Sequence, residues 1–522
     1  MPAEITYDQP GIQAAQPATA TPWSRLLSPS FSDLFFVFIT VWMFMTTADG
    51  WNRLLLDADT AFHTRIGQII LSNGAVPHTD PFSFSKVAQP WYAFEWLSET
   101  VLALAYNLAS WKGIALLAGV SIGLYITLLL KYTVWKGANG LIALVITLLT
   151  ATGTSIHFHA RPHLWTLLFL TVSIWLLEAN RRSPSAKVWL LVPITALWAN
   201  FHGGFFMFFV LLGLRVAGCA AESYFWPEDR AGRWKEALQL TWVGLACAAA
   251  SLCNPYGYRL HEHIFDTLKM KWIIANVSEF KSPVFDSEQM YDIMILLFAG
   301  LASITSLVRK KSLVEPLWIL FLAYASLTSV RHATIFMLVA APIVALELSE
   351  WWKSVSAGSS KASLVGMLSD VSGSLSKGLP GTSLLIPVAI IALALTPGLQ
   401  WPTAFPGRFV PVDFIEKHHD LLASSRLFAS DQIADYLIFR SYPKQRVFLD
   451  SRHNYYGEDI GNDYIAISSG SPRWKELLAK YNFDLILCEP GEPVSVLIQA
   501  SGGWHVKDRT DKYILFAKDG NS

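Results

Sequence analysis

Charge is what this chain has least of. Only 15% of its 522 residues are Asp, Glu, Lys or Arg, where a soluble domain carries about 25%. The deficit assigns most of the chain to an apolar medium. Basic and acidic residues balance at 40 each, with no basic stripe or block, which argues against nucleic acid as a partner. The four cysteines (Cys219, Cys247, Cys253, Cys488) show neither C-x-x-C nor paired spacing, so they give no metal site and no disulfide framework. A glycine-rich phosphate loop is missing, and with it the case for nucleotide binding. No internal repeat and no inverted pair of halves is found. The first 30 residues are polar and rich in Pro, Ala and Thr, with a single basic residue, Arg25. They read as a disordered cytoplasmic tail ahead of a retained signal anchor at 31–47.

What the chain does have is apolar surface: 52% of its residues are hydrophobic, with 21 Trp and 31 Phe. Apolar runs recur at 31–47, 96–131, 141–155, 164–178, 188–199, 203–221, 238–253, 291–308, 313–327, 333–346 and 382–396. Several fall short of the ~20 residues an upright span needs, and Trp, Tyr and His at the interfaces extend them. The run 96–131 is too long for one crossing and is interrupted at Trp111-Lys112-Gly113. Its first part is expected along the interface, or as a partial helix, before one true span. The expected fold is therefore an all-α polytopic membrane bundle of about 11 transmembrane helices, filling 31–400, with a first outer loop at 48–95.

Lys and Arg in the short connections set the orientation. Lys131 with Lys136, Arg181 with Arg182 and Lys187, then Arg230, Arg233 and Lys235 form one set. Arg309, Lys310 and Lys311 and a Ser/Gly/Lys linker at 353–377 continue it. These alternate with Lys-poor connections and are placed in the cytoplasm. The other face receives the first loop, HFHARPH at 157–163, NFHGG at 200–204, NPYG at 254–257 and SVRH at 329–332. From about Phe409 the composition becomes that of a soluble domain. Strand-like RLFAS (426–430), RVFLD (446–450), DLILC (484–488) and YILFA (513–517) alternate with helical patterns, predicting a small extracytoplasmic α/β domain over 409–522 with a largely parallel sheet. With it included, all 13 histidines fall on the outer face, a partition that no rule about turns or solubility demands.

The outer loop holds the densest polar chemistry. Asp57, Asp59, His63, His78, Asp80 and Glu95 lie within it. Phe62, Ile66, Ile69 and Ile70 have helical spacing and Gly74 can end the helix, so an amphipathic helix on the membrane surface is expected from Asp59. Asp59 and His63 are four apart and can point at one pocket. A carboxylate there suits a general base that deprotonates an acceptor hydroxyl, or can steady positive charge on a sugar carbon. Helix capping is the plain alternative for both aspartates. Asp57-x-Asp59 could also hold a divalent cation, Mg or Mn, through oxygen ligands. Arg161 lies between two spans, where a charge needs a partner. A lipid phosphate would pair with it well, and a snorkelling interfacial arginine is the equal alternative. Arg331 and His332 repeat that logic. His159 and His163 beside Arg161, and Asn200 and His202 at a glycine hinge, are candidates to shape a sugar pocket. Glu95 is a candidate cavity acid. Asp450-Ser451-Arg452-His453 follows a strand-like run and is a candidate acceptor-facing patch.

These motifs carry a resemblance. D-x-D-T-x-x-H-x-x-x-G, then P-x-x-D-P-F-S and W-x-x-x-E-W-L, follow a single span, with an outer A-R-P, an outer N-x-H-G and a small carboxyl-terminal domain after them. The arrangement resembles the GT-C glycosyltransferases, a class that includes protein O-mannosyltransferases and the aminoarabinose transferase of lipid A. The resemblance implies a bacterial cytoplasmic-membrane enzyme that moves a sugar from a polyprenyl-phosphate-linked donor to a lipid, glycan or protein acceptor at the outer face. Carried over by position, Asp59 is the base, Asp57 its neighbour and Arg161 the group near the donor phosphate. Where the mannosyltransferases have Asp-Glu, this chain has Asp59-Thr60. Two rivals stand beside this reading: a transporter or flippase of lipid-linked saccharides, for which repeated halves would speak, and a non-catalytic scaffold in envelope assembly.

Overall fold

In the computed structural model, residues 26–45, 50–360, 362–379, 381–396 and 401–520 are described. Most of the amino-terminal tail and the end of the first apolar run lie outside them. Among the described residues, six helices are long and apolar enough to cross a membrane: Trp96–Trp135, Gly140–His157, His163–Arg182, Phe205–Phe225, Glu288–Arg309 and Val330–Ser356. Four shorter apolar helices, Phe31–Trp42, Ala186–Phe201, Val314–Thr328 and Leu385–Leu395, account for further runs. The run at 238–253 falls in helix Arg230–Ala250, whose opening turns carry Arg230, Arg233, Lys235 and Glu236.

The interruption expected near Trp111 is real. Within Trp96–Trp135, Ala109 and Ser110 leave helical geometry, Ser110 with φ 53°. That left-handed conformation is unfavourable for serine. It lets the chain turn so closely that a Cβ on Gly113 would lie 2.0 Å from the Ala105 carbonyl oxygen. The stretch 353–377 is not the expected linker. It contains the end of one helix and most of another, Leu364–Gly378. Leu364, Met367, Val371 and Leu375 recur with helical spacing, and the helix packs on Gly140 through Ser372 and Ser376, while Leu364, Met367 and Val371 stay exposed.

The helix after the first loop spans Asp59–Asn73 and ends, as its sequence predicts, at Gly74 in the left-handed conformation (φ 65°). Its setting differs from expectation. Asp59 through Thr64 are all buried, because one side packs on the start of helix Trp96–Trp135 and another on helix Asp431–Ser441. Gly67 makes the first contact possible: a Cβ there would meet the Glu99 carbonyl oxygen at 1.9 Å. This segment is a sandwiched helix rather than one lying on a membrane surface.

The carboxyl-terminal sheet has four strands, β1 (Leu427–Phe428), β2 (Leu485–Cys488), β3 (Trp504–Arg509) and β4 (Ile514–Lys518), in the order β1-β2-β4-β3. Only β1 and β2 are parallel, while β4 runs antiparallel to both β2 and β3. The largely parallel sheet is thus corrected to a mixed one. Segment 446–450 forms no strand of this sheet. Val447 instead bridges to Ser83 and exchanges backbone hydrogen bonds with Phe82 and Phe84 of the first loop. Strand β3 escaped sequence reading because its residues are mostly exposed and polar.

Arg452 makes that junction a latch. Its guanidinium lies 2.8 Å from Asp80 and 2.6 Å from Asp450, with the Trp91 ring 4.7 Å away. Asp80 also accepts the backbone N–H groups of Phe82 and Ser83. Asp450 and Arg452 are therefore buried and structural, which overturns their reading as an acceptor-facing patch. Removing one member of a buried pair costs about 3–5 kcal/mol. Arg452→Met is expected to lower thermal stability by that order and to expose the 78–91 loop to protease. Unchanged melting and cleavage would contradict the latch.

At the opposite ends of the same helices, a second ionic network forms. Arg181 lies 2.7 Å from Glu315, and Arg215 lies 2.7 Å from Glu236 and 3.5 Å from Glu178. Helix His163–Arg182 thus carries the Arg161 end and the Arg181 end on its two sides, about 30 Å apart at 1.5 Å per residue.

Candidate functional site

Arg161 is the hub. Its Nη1 lies 2.8 Å from Asp57 Oδ2 and 2.7 Å from Glu279 Oε1, and its Nη2 lies 2.7 Å from Asp59 Oδ2. The Ala160 N–H donates to the Leu54 carbonyl and the Thr60 hydroxyl to the Ala160 carbonyl, which ties the A-R-P turn to the first loop. Asp57 also caps the helix, accepting the Asp59 N–H at 3.1 Å. The capping and functional readings therefore coexist. The guanidinium lies against both Asp57 and Asp59, the pair that could also hold a divalent cation.

The two aspartates differ in acidity. Burial works most strongly against ionisation at Asp57, but the Arg161 guanidinium, His159 and the Asp59 N–H together outweigh it and hold the carboxyl below its usual range. At Asp59 burial prevails over Arg161, and the negative charge of Asp57 adds to it, so this carboxyl titrates above its usual range. Their environments thus drive two neighbouring carboxyls apart, the arrangement from which acid–base chemistry can be built. For Glu279, attraction to Arg161 dominates and keeps it firmly ionised.

The carboxyl-terminal domain reaches this centre directly. Gln432 Oε1 accepts the Ala58 N–H at 2.9 Å, and its Nε2 faces Asp57 at 3.4 Å. Ser451 lies near Asp59 and favours its ionised form, and its N–H and hydroxyl reach Asp435 at 3.3 and 3.2 Å. Burial, with Asp59 close by, raises the Asp435 carboxyl well above its usual range.

One helical turn after Asp59, the His63 ring stands between two glutamates, with Nδ1 3.1 Å from Glu99 Oε1 and Nε2 3.6 Å from Glu95 Oε2. Burial lowers the basicity of His63, yet its hydrogen bond to Glu99 and the charge of Glu95 carry it up to about 8. Burial pushes Glu95 up to about 7. His202 faces the other Glu95 oxygen at 3.5 Å, and burial lowers it to about 3. A cleft of about 210 Å³ opens beside this centre, lined by Asp57, His157, His159, Ser278, Glu279 and Val330 among others. His159 is held below its usual range by burial.

The remaining sequence-predicted residues divide. His163 is committed through Nε2 to the His157 carbonyl at 2.7 Å. Asn200 accepts the Trp96 indole N–H and donates to the Ala196 and Cys253 carbonyls, so its amide is a structural tie. His332 packs near the Ala325 carbonyl, 3.3 Å away. Arg331 stacks on the Phe280 ring at 4.4 Å, next to cleft residue Val330. His78 and Asp80 stand apart from Arg161: His78 is exposed and packs edge-on to Tyr256, while Asp80 belongs to the latch. Glu279 and Gln432 were missed as site residues, and Ser451 was named only within the patch at 450–453. A lone Glu in a loop between apolar runs gives no periodic signal, and nothing local announces a partner more than 100 positions away.

The sequence matches no known family profile and no curated protein. Solved structures that share the fold include two of one archaeal enzyme. The apo oligosaccharyltransferase of Archaeoglobus fulgidus aligns with a TM-score of 0.51 and 12% identity over 88% of this chain and 69% of its own. The same enzyme tethered by a disulfide to an acceptor peptide containing the NVT sequon aligns with a TM-score of 0.53 and 11% identity over 88% and 68%.

Proposed function

We propose that this protein is a membrane glycosyltransferase that moves a sugar from a polyprenyl-phosphate carrier to an acceptor at the outer face of the cytoplasmic membrane. The observation that carries the reading is the junction at Arg161, which gathers Asp57, Asp59 and Glu279 beneath the carboxyl-terminal domain beside an open cleft. The fold shared with an oligosaccharyltransferase supports the same class of chemistry.

Asp59 is the general base: its raised affinity for a proton suits it to take one from an acceptor hydroxyl as that oxygen bonds to the sugar carbon. The bond from that carbon to the phosphate oxygen breaks, and the lipid phosphate leaves. Asp57 stays ionised and, with Glu279, fixes Arg161 so that Asp59 keeps its geometry. Because Arg161 already holds three carboxylates, Arg331 is the better guanidinium for the donor phosphate; among the described residues no carboxylate lies within 4 Å of it. His63, His159, His202 and Glu95 shape the pocket. The carboxyl-terminal domain positions Asp57 and Asp59 through Gln432 and Ser451.

Sidedness tests this reading against a flippase. Sealed vesicles containing the protein receive carrier-linked radiolabelled sugar in one leaflet. Transfer predicts label leaving the lipid fraction, only when the donor faces the Asp59 side. A flippase predicts label crossing the bilayer still joined to its carrier, and that result would overturn the proposal.

A further inference from the structure

The group around His63 stands one helical turn beyond Asp59 of the Arg161 junction and has features of an ion site. His63, Glu95 and Glu99 each offer one ligand atom, and these atoms lie within 4.8 Å of one another. The 3.6 Å from His63 Nε2 to Glu95 Oε2 is too long for a charge-assisted hydrogen bond. It is close to the spacing of neighbouring ligands on one ion, roughly 3–3.5 Å when each bond is about 2.0–2.2 Å. Glu99 adds an independent sign. Its side chain is 3% exposed, and its Oε2 is buried with no hydrogen-bond partner among the described residues. A buried carboxylate oxygen left without a donor is costly, and a cation would satisfy it.

Charge balance points the same way. Asp57, Asp59, Glu279, Glu95 and Glu99 are five carboxylates in one buried neighbourhood, faced by the guanidiniums of Arg161 and Arg331. With the His63 ring neutral, as a metal ligand must be, full ionisation leaves three negative charges for protons or an ion to offset. His202 does not compete as a ligand. Its Nδ1 accepts the Gly204 N–H at 2.9 Å, so its proton sits on Nε2, the nitrogen facing Glu95. It can orient Glu95 but has no lone pair to offer there.

We propose that His63, Glu95 and Glu99 bind one divalent transition-metal ion of the zinc, cobalt and manganese group. An imidazole nitrogen among two carboxylates favours these ions over magnesium or calcium, which prefer all-oxygen shells. The ion joins the Asp59 helix to helix Trp96–Trp135 at their Gly67 crossing and places positive charge one turn from Asp59. This inference does not depend on the transfer reading.

The test counts metal, not turnover. Full-length protein purified in detergent is stripped with chelator, exposed to Zn²⁺, Co²⁺ or Mg²⁺, and analysed by elemental mass spectrometry, with the visible spectrum of the Co²⁺ form recorded. About one Zn²⁺ or Co²⁺ per chain is expected, and essentially no Mg²⁺. His63→Ala abolishes binding. The isosteric Glu99→Gln weakens it about 10-fold or more. If His63→Ala does not fold, Glu99→Gln and the Co²⁺ spectrum decide. Folded wild-type protein that takes up no Zn²⁺ or Co²⁺ would overturn the proposal in favour of an imidazolium clamped between two glutamates. So would metal content or affinity unchanged in Glu99→Gln.

Discussion

Arg161→Met is expected to be the most damaging single change in the chain. Methionine keeps the apolar stem of the side chain but leaves Asp57, Asp59 and Glu279, which the guanidinium holds at 2.7–2.8 Å, in a mostly buried place without a cation. Breaking a buried pair by removing one partner costs about 3–5 kcal/mol, and here three partners are stranded. The yield of folded protein should fall sharply, and what remains should melt earlier. Since the penalty comes from like charges rather than lost volume, removing one charge should recover part of it. The double variant Arg161→Met with Asp57→Asn should melt above Arg161→Met alone. Equal melting of the two would mean that Arg161 acts by packing and that the ionic junction is not the organising contact.

Asp59→Asn is expected to have the opposite profile, with structure kept and chemistry lost. Asparagine is isosteric and can still face Arg161 and Ser451, and removing a carboxyl that burial already disfavours should leave stability unchanged or improved. A general base contributes roughly 10²–10⁴-fold, so sugar transfer should fall by that factor with donor binding retained. Asp57→Asn should differ: the ionised partner of Arg161 and the helix cap are lost together, and stability should drop with activity. A similar loss of turnover in both variants, with melting equally unchanged, would remove the distinction between base and anchor.

How far these residues could be read from sequence depends on the range of the signal. The apolar runs, the break near Trp111 and the helix from Asp59 to Gly74 are local patterns, and each appears where its spacing places it. The clustering of Asp57, Asp59, His63 and Arg161 was legible because basic connections alternate with polar ones, which puts all four at the same end of the bundle. Partnership was not legible. Nothing near Arg161 distinguishes a guanidinium waiting for phosphate from one already holding three carboxylates, and Glu279 lies 118 positions away. The carboxyl-terminal domain misled for a related reason. RVFLD has the composition of a central strand, but its Val447 pairs with Ser83 in the first loop, a contact formed only once the two ends of the chain meet. That same contact turns an apparent appendage into a wall of the site, through Gln432 and Ser451.

The most direct measurement follows the sugar itself. Purified protein in lipid bilayers is given polyprenyl-phosphate donors with label in the sugar, and free polyprenyl phosphate is quantified beside a labelled acceptor product. The account predicts equal amounts of both from the wild-type chain and a fall of roughly 10²–10⁴-fold for folded Asp59→Asn. Carrier release that Asp59→Asn leaves unchanged would contradict it.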